Sequence, residues 1–166
     1  MAAMSSRKIK TLEEIVEIRA ELRRRKKKLV FTNGCFDILH VGHVRILNQA
    51  RNSGDVLVVG INSDSSVRKI KGNLRPVIPE EERGEVLAAL ASVDYVFIFA
   101  DPTPQRIIDA IVPDVLVKGA DWGVSDIIGH DTVLNAGGTV QNLPLVEGVS
   151  TTAIIERVME CFGTRL

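Results

Sequence analysis

Cysteine and aromatic residues are scarce in this chain of 166 residues, and its formal net charge is zero. Its two cysteines, Cys35 and Cys161, are too few for a disulfide scaffold, and no secretory signal is recognisable, so we expect a reducing, cytoplasmic location. Lys and Arg together number 21, as do Asp and Glu, and this balance argues against a dedicated nucleic-acid-binding domain. Aromatic residues make up 4% of the chain, which leaves few side chains for base stacking. The longest apolar runs, such as 95–100, have the length of strands, whereas a membrane span needs about 20 residues.

The remaining composition, 45% hydrophobic and 25% charged, is ordinary for a globular protein. We expect residues 1–10 to form a flexible N-terminus and residues 11–166 to form a single domain. Thr11 and Glu14 make a capping box for a first helix, which runs into six consecutive cations at 23–28. Because cations suit the negative end of a helix macrodipole, we interpret this run as a solvated helix end, with an anionic partner as the alternative.

Beyond the first helix, strand-like and helix-like segments alternate about five times. The predicted strands cover 29–32, 55–61, 95–99, 115–117 and 139–143. The predicted helices cover 41–52, 80–91, 102–113, part of 122–135 and 151–161, whereas 62–79 is predicted to be a loop because it contains Gly72, Pro76 and Pro79. This alternation is typical of βαβ units, so the predicted fold class is α/β, a doubly wound five-stranded parallel sheet with helices on both faces. Ligands of such sheets bind at the carboxyl ends of the strands.

The first strand is followed by residues suited to binding an anion. His40 and His43 are three residues apart at the start of a predicted helix, so their imidazoles point to the same side. The helix N-terminus offers free N–H groups to a phosphate, and Gly42 lets a ligand approach the backbone closely. Asn33-Gly34 supplies a tight turn with further exposed amides. These features together predict an anion-binding cradle.

Two other chemistries stay open for the same segment. A zinc site would use His40 and His43 with Cys35 or Asp37, although zinc prefers more ligands at close spacing. A Cys35–His40 nucleophile pair is the other possibility, although no third residue is placed to orient it.

Two motifs resemble those of a known family. His40-Val41-Gly42-His43 resembles the HxGH signature of the cytidylyltransferase-like nucleotidyltransferases, and Val149-Ser150-Thr151-Thr152 resembles that family's Ile-Ser-Thr-Thr-like motif. The motifs occur in the family's order, each at a predicted helix start, and the resemblance covers residues 29–159. It implies a Rossmann-like sheet. It also implies transfer of a nucleotidyl group from a nucleoside triphosphate to a phosphorylated small molecule, with release of pyrophosphate.

Within that family the chain looks most like stand-alone adenylyltransferases that act on D-glycero-D-manno-heptose 1-phosphate. The segments that carry this likeness are 32–37, 62–65, 71–72 with 75–77, 102–106 and 116–121. The alternative is a glycerol-3-phosphate cytidylyltransferase, whose Gly-x-Asp-Trp element is present at 119–122. Two arginines of that enzyme are replaced here, by Ser92 and Leu145, and neither residue supplies a guanidinium's planar set of donors. A non-catalytic nucleotide-binding module is a further alternative.

The resemblance also implies roles for individual residues. The implied catalytic residues are His40, His43 and Lys71. The implied nucleotide-binding residues are Thr32, Asn33, Gly34, Phe36, Gly42, Lys118, Gly119, Asp121, Ser150, Thr151 and Thr152. The implied substrate-binding residues are Asp37, Asn62, Lys69, Arg75 and Trp122. Asp37 would contact the sugar phosphate through water or orient a loop residue, while Arg83 would bind phosphate or lie on a helix surface.

The implied partners are small molecules, ATP and a sugar 1-phosphate, with no nucleic acid and no membrane. Mg²⁺ is expected to enter with ATP and to be held mainly by the triphosphate, without protein ligands. The resemblance further implies a homodimer, and a product, ADP-heptose, used for lipopolysaccharide core or another surface glycan.

Overall fold

A computed structural model describes residues 7–119 and 123–163 of the chain. Its strands are β1 (Leu29–Gly34), β2 (Val56–Asn62), β3 (Tyr95–Phe99), β4 (Val115–Gly119) and β5 (Thr139–Leu143). Its helices are α1 (Leu12–Arg24), α2 (Val41–Arg51), α3 (Asp64–Lys71), α4 (Glu80–Ala88), α5 (Gln105–Ile111), α6 (His130–Asn135) and α7 (Thr151–Phe162), with a 3₁₀ turn at Val124–Asp126. No helix in these described ranges is both long and apolar enough to cross a membrane.

The five strands form one parallel sheet in the order β3-β2-β1-β4-β5. The chain runs outward from β1 to β2 and β3 and then returns to β4 on the other side of β1, so the strand order reverses between β1 and β4. Thr32 pairs with Val117 across this switch point. Open parallel sheets bind ligands beside the carboxyl ends of the strands at such a point. The predicted doubly wound, Rossmann-like fold is confirmed.

Neighbouring residues of a strand point to opposite faces of the sheet, so a continuous apolar run makes both faces apolar. Helices cover both of these faces. Val30 and Phe31 are both fully buried but belong to different core clusters. One cluster contains Ile15 of α1, Phe31, Phe97 and Ile107 of α5. The other contains Val30, Leu47 of α2, Val59 and Leu87 of α4.

A glycine in β2 allows two aromatic rings to pack against the sheet. The rings of Phe31 and Phe97 stack with their centroids 6.1 Å apart. A Cβ at Gly60 would lie 3.2 Å from both rings, which is tighter than ordinary contact. Burial of each phenylalanine contributes about 2 kcal/mol to folding. A larger residue at position 60 would displace these rings and weaken that contribution.

The predicted loop at 62–79 is wrong over its first half, where α3 forms. Ser63 caps this helix by accepting a hydrogen bond from the Ser66 backbone N–H at 3.2 Å, and Val67 is buried against the sheet. The Glu80 carboxylate accepts a hydrogen bond from the backbone N–H of Asp64 in the first turn. Gly72, with a φ of 93°, ends the helix, and the two prolines lie beyond it, so none of the three prevents it from forming.

Residues 8–10, which the sequence assigned to a flexible N-terminus, contact the body of the domain. Ile9 bridges to Val96 of β3, and the Lys10 N–H donates to the Val96 carbonyl at 2.8 Å. The Lys8 ammonium donates to the carbonyls of Leu90 and Val93 at 3.0 and 2.6 Å. These three residues therefore pack with the domain, beside β3.

Candidate active site

A cleft of about 390 Å³ opens beside the carboxyl ends of β1 and β4, where α2 and α7 begin. This is the switch point of the sheet. Predicted site residues in its lining are Phe36, Asp37, His40, Gly42, His43, Lys71, Arg75, Gly119, Ser150, Thr151 and Thr152. Cys35, Ile46, Leu145, Val146 and Val149 complete the lining. The two motifs, which are far apart in sequence, therefore meet at one cleft.

The two histidines stack on each other at the start of α2. Their ring centroids are 3.8 Å apart and the planes differ by 21°. Phe36 also contacts the His43 ring, with a centroid separation of 5.1 Å and planes tilted by 59°. A Cβ at Gly42 would come within 3.0 Å of the His40 ring, so glycine is needed for that ring to fold back over the helix start. Both Nδ1 atoms are buried and have no hydrogen-bond partner among the described residues.

Burial favours the neutral form of both imidazoles. Burial, together with a smaller contribution from the neighbouring His40, lowers the pKa of His43 to about 4. Burial also lowers the pKa of His40. At neutral pH each ring therefore offers one N–H donor, and an entering polyanion would favour a second proton. The pair is suited to stabilising negative charge that develops beside it.

The opposite side of the cleft is the N-terminus of α7. Ser150 caps this helix, and its Oγ accepts the Ala153 N–H at 3.0 Å. A Cβ placed on Gly42 would lie 3.8 Å from the carbonyl oxygen of Val149. The start of α2 therefore lies close to the start of α7. Two helix N-termini, each with free N–H groups and partial positive charge, thus converge on one cleft.

Lys71 and Arg75 line one side of the cleft, here called the cationic wall. A buried carboxylate holds this wall in place. The Asp37 side chain is 0% exposed and pairs with the Arg75 guanidinium. It also accepts the backbone N–H groups of Val77 and Ile78 at 2.8 and 2.9 Å. Of the two roles predicted for Asp37, orienting a loop residue is therefore the one that these contacts support. Lys71, the last residue of α3, lines the same wall.

Arg83 takes neither of its predicted roles. Its side chain is buried and donates to the carbonyls of Ile78, at 2.9 Å, and Cys35. It also pairs with Asp64 at 2.7 Å. One guanidinium thus ties the start of α3 to the loop before α4 and to the end of β1. A buried arginine whose three guanidinium nitrogens each donate to a protein acceptor is structural here.

Six predicted site residues do not line the cleft: Thr32, Asn33, Gly34, Asn62, Lys69 and Lys118. The first three belong to β1, beneath the cleft. Asn62 is buried, and its amide donates to Ser66 Oγ at 3.0 Å. Lys69 is exposed on α3. Asp121 and Trp122 lie outside the described residues.

Lys118 is half-buried near the end of β4 and is not among the residues that line the cleft. Its Nζ donates to the Asn33 carbonyl at 3.4 Å. Burial lowers the pKa of Lys118 to about 8. It lines a separate cavity of about 160 Å³ with Pro104 and Ile127. Its contact with the end of β1 makes it a support for that strand end.

Sequence reasoning missed an apolar part of the lining. Ile46 follows His43 by one helical turn, a spacing that identifies it as a neighbour on the same face. A Cβ at Gly119 would lie 2.5 Å from Ile46 and 3.5 Å from Leu145, so a larger residue at position 119 would narrow the cleft. Leu145 is 50% exposed and follows β5; the sequence marked it as the replacement of an arginine but not as part of an apolar lining.

The alternative chemistries gain no support from the geometry. Burial raises the pKa of the Cys35 thiol, so it is protonated at neutral pH and is a poor nucleophile. Within residues 7–119 and 123–163, no three His, Cys, Asp or Glu side chains converge as metal ligands.

The fold and the cleft define a Rossmann-like α/β protein whose switch point carries two helix N-termini and a histidine pair, an arrangement suited to a phosphorylated ligand. Residues 31–157 match the family model described as cytidylyltransferase-like, and the chain belongs to that family. The resemblance predicted from the two motifs is confirmed.

The alignments with curated relatives cover most of this chain. It is 54% identical over 150 residues to the bifunctional protein HldE of Koribacter versatilis, covering 90% of this chain and 31% of that protein. It is 50% identical over 159 residues to the same-named protein of Geobacter metallireducens, covering 96% of this chain and 32% of that protein. The chain therefore spans about a third of the length of these curated relatives.

Two solved structures share the fold. The lipopolysaccharide core biosynthesis protein of Thermoplasma volcanium aligns with a TM-score of 0.60 at 27% identity, covering 72% of this chain and 97% of that one. The pantoate-beta-alanine ligase of Francisella tularensis aligns with a TM-score of 0.58 at 14% identity, covering 92% of this chain and 77% of that one. The second likeness concerns the fold alone.

Proposed function

We propose that this nucleotidyltransferase moves the adenylyl group of ATP to D-glycero-D-manno-heptose 1-phosphate, giving ADP-heptose and pyrophosphate in the cytoplasm. One observation carries the proposal: two helix N-termini and a stacked pair of neutral histidines meet in one cleft at the switch point of the sheet. Such a cleft suits a triphosphate whose charge redistributes during reaction. Identities near 50% to the HldE proteins and the likeness to a lipopolysaccharide core biosynthesis protein support the sugar acceptor.

The reaction needs no covalent bond to the protein. An oxygen of the sugar 1-phosphate attacks the α-phosphorus of ATP and forms a new P–O bond. The bond from the α-phosphorus to the bridging oxygen of the β-phosphate breaks, and that oxygen keeps the electron pair as pyrophosphate leaves. Catalysis then consists of positioning the reactants and stabilising charge in the transition state.

The histidines would act where that charge develops. We assign His40 and His43 to the α- and β-phosphates, because their rings lie at the start of α2 with N–H groups to donate. Negative charge on the departing pyrophosphate would raise the pKa of each ring and strengthen its hydrogen bond during the step. Mg²⁺ would enter as part of the ATP substrate.

The N-terminus of α7 and the cationic wall would position the reactants. The N-terminus of α7 would bind the β- and γ-phosphates through its N–H groups and the hydroxyls of Thr151 and Thr152. Lys71 and Arg75 would hold the acceptor phosphate, with Arg75 kept in place by the buried Asp37 carboxylate. Leu145 lines the cleft where the glycerol-3-phosphate enzymes carry an arginine, so this wall offers no guanidinium to that smaller acceptor.

The test is pyrophosphate release with Mg²⁺ from each pairing of ATP or CTP with heptose 1-phosphate or glycerol 3-phosphate. We expect release with ATP and the heptose, and its loss in His43→Ala. Release only with CTP and glycerol 3-phosphate would keep the reaction and overturn the substrates. Binding of ATP without release from any pair would favour the non-catalytic binding module.

A further inference from the structure

The turn that follows β1 holds one residue in an unusual backbone conformation. Phe36 has a φ of 46°, in the left-handed region that favours glycine. Within the described part of the chain, the other non-glycine residues in this region are Lys26 and Val112, and both lie at helix C-termini, where it is common. Phe36 lies at no helix end. Because strained conformations of this kind cluster at functional sites, the turn is a candidate for a functional role.

Two buried charges, one on each side of Phe36, hold the turn. The carbonyl of Cys35, directly before it, accepts a hydrogen bond from the Arg83 guanidinium, whose side chain is 0% exposed. The side chain of Asp37, directly after it, is also 0% exposed; it pairs with Arg75 and accepts two backbone N–H groups. These contacts fix the turn from both sides and offset the unfavourable backbone angle.

The fixed turn directs the Phe36 ring at His43. The two ring centroids are 5.1 Å apart and the ring planes differ by 59°. A Cβ placed on Gly34 would lie 3.2 Å from the Phe36 ring, so glycine at this position lets the ring lie over the end of β1. Phe36 is half-buried and packs against the core cluster that contains Leu47 and Leu87. Its ring therefore connects the core to the His43 imidazole.

Ring contacts take the place of the hydrogen bond that usually orients a catalytic histidine. In such a histidine one ring nitrogen commonly donates to a carbonyl or carboxylate, and the other acts on the substrate. The buried Nδ1 of His43 has no hydrogen-bond partner among the described residues. The imidazole instead contacts the rings of His40 and Phe36. His40 also has a buried Nδ1 without a partner there, whereas Phe36 is supported by the core.

We propose that Phe36 is a positioning residue of this cleft, whose ring, aimed by a strained backbone turn, fixes the plane of the His43 imidazole. This role differs from the nucleotide contact that the family resemblance implies for Phe36, because the ring acts through the histidine. The consequence for turnover rests on the proposed function, in which His43 stabilises charge on the phosphates. The contact between the two rings does not depend on that function and can be tested without substrate.

NMR titration of the histidine ring protons tests the contact in the protein alone. Burial lowers the pKa of His43 to about 4, and Phe36→Ala removes part of its cover, so the pKa should rise toward its ordinary value of about 6.5. Phe97→Leu is the control, because it alters a fully buried ring of the core and should leave this pKa unchanged. The other titratable or charged groups lining the cleft remain in both variants: Cys35, Asp37, His40, Lys71 and Arg75. An unchanged pKa of His43 in Phe36→Ala would overturn the proposal.

Turnover tests whether the ring acts through His43. Phe36→Ala should lower kcat about 10- to 100-fold, with a smaller change in the KM for ATP. Adding Phe36→Ala to His43→Ala should lower kcat no further, because the ring then has no imidazole to position. Losses that multiply in the double variant would overturn the proposal. A wild-type chain that releases no pyrophosphate from any substrate pair would instead overturn the proposed function, while the titration still decides the contact.

Glycine substitutions separate the ring from the backbone strain. Phe36→Gly removes the ring but tolerates the positive φ, so it should unfold at a higher urea concentration than Phe36→Ala while losing as much turnover. The matched control is Lys26→Gly, which relieves a φ of 54° outside the cleft lining. It should raise the urea midpoint and leave turnover unchanged. Normal turnover in Phe36→Gly would mean that the ring is dispensable and would refute its positioning role.

Discussion

Replacing Asp37 by asparagine measures how strongly one buried carboxylate holds the cationic wall. The wild-type carboxylate is fully buried, pairs with Arg75 and accepts two backbone N–H groups from the following loop. Asparagine keeps the shape and one acceptor oxygen but leaves Arg75, whose side chain is 16% exposed, without its counter-charge. Breaking a buried ion pair costs about 3 to 5 kcal/mol, and the remaining acceptor recovers part of this. We expect the free energy of unfolding to fall by about 3 kcal/mol.

The matched control is Asp101→Asn. Asp101 pairs with Arg106 at 2.7 Å, but the Arg106 side chain is 69% exposed, so this substitution should cost less than about 1 kcal/mol. Urea denaturation followed by circular dichroism measures both variants. Equal losses in the two variants would refute the idea that Asp37 anchors the loop. Under the proposed function, Asp37→Asn should also raise KM for the acceptor, because Arg75 loses its fixed position.

Three further predictions concern the histidines and the core. His43→Ala should lower turnover at least about 100-fold while the fold survives, with His130→Ala as the control outside the cleft, and near-normal turnover would overturn the assignment. The free energy of unfolding should fall on the order of 2 kcal/mol as the pH drops from about 6.5 to about 4, because burial holds the folded-state pKa of His43 near 4 and only the unfolded chain takes up the proton. That slope should flatten in His43→Gln, and an unchanged slope would contradict the burial argument. Gly138→Ala should destabilise by about 1 to 3 kcal/mol in urea denaturation, since its Cβ would lie 2.8 Å from the Asp114 carbonyl, and a neutral effect would refute this packing.

Features with local signals could be predicted from the sequence. The five strands follow from short apolar runs bounded by turn residues, and their parallel arrangement follows from their alternation with helices. Both halves of the cleft were marked by residues at helix starts, the histidine pair and Ser150. Their convergence could be predicted because the carboxyl ends of parallel strands share one edge of the sheet.

Features that depend on distant partners could not be predicted. Asp37 and Arg75 are neighbours only after α3 and its loop have folded back, and the burial of Arg83 needs acceptors from three separate segments. Helix α3 was not predicted because Gly72, Pro76 and Pro79 favour a loop over 62–79, although Ser63 caps a helix that ends before all three. In each case the conformation depends on tertiary contacts, which the local amino-acid composition does not reveal.

The most direct test of the central claim follows the phosphorus atoms of ATP during turnover with heptose 1-phosphate. Two reactions are run in parallel, one with radiolabel at the α-phosphorus and one with radiolabel at the γ-phosphorus, and the products are separated. Adenylyl transfer predicts the α label in the sugar nucleotide and the γ label in pyrophosphate. Appearance of the γ label in the sugar product would mean phosphoryl transfer and would contradict the mechanism derived from this cleft.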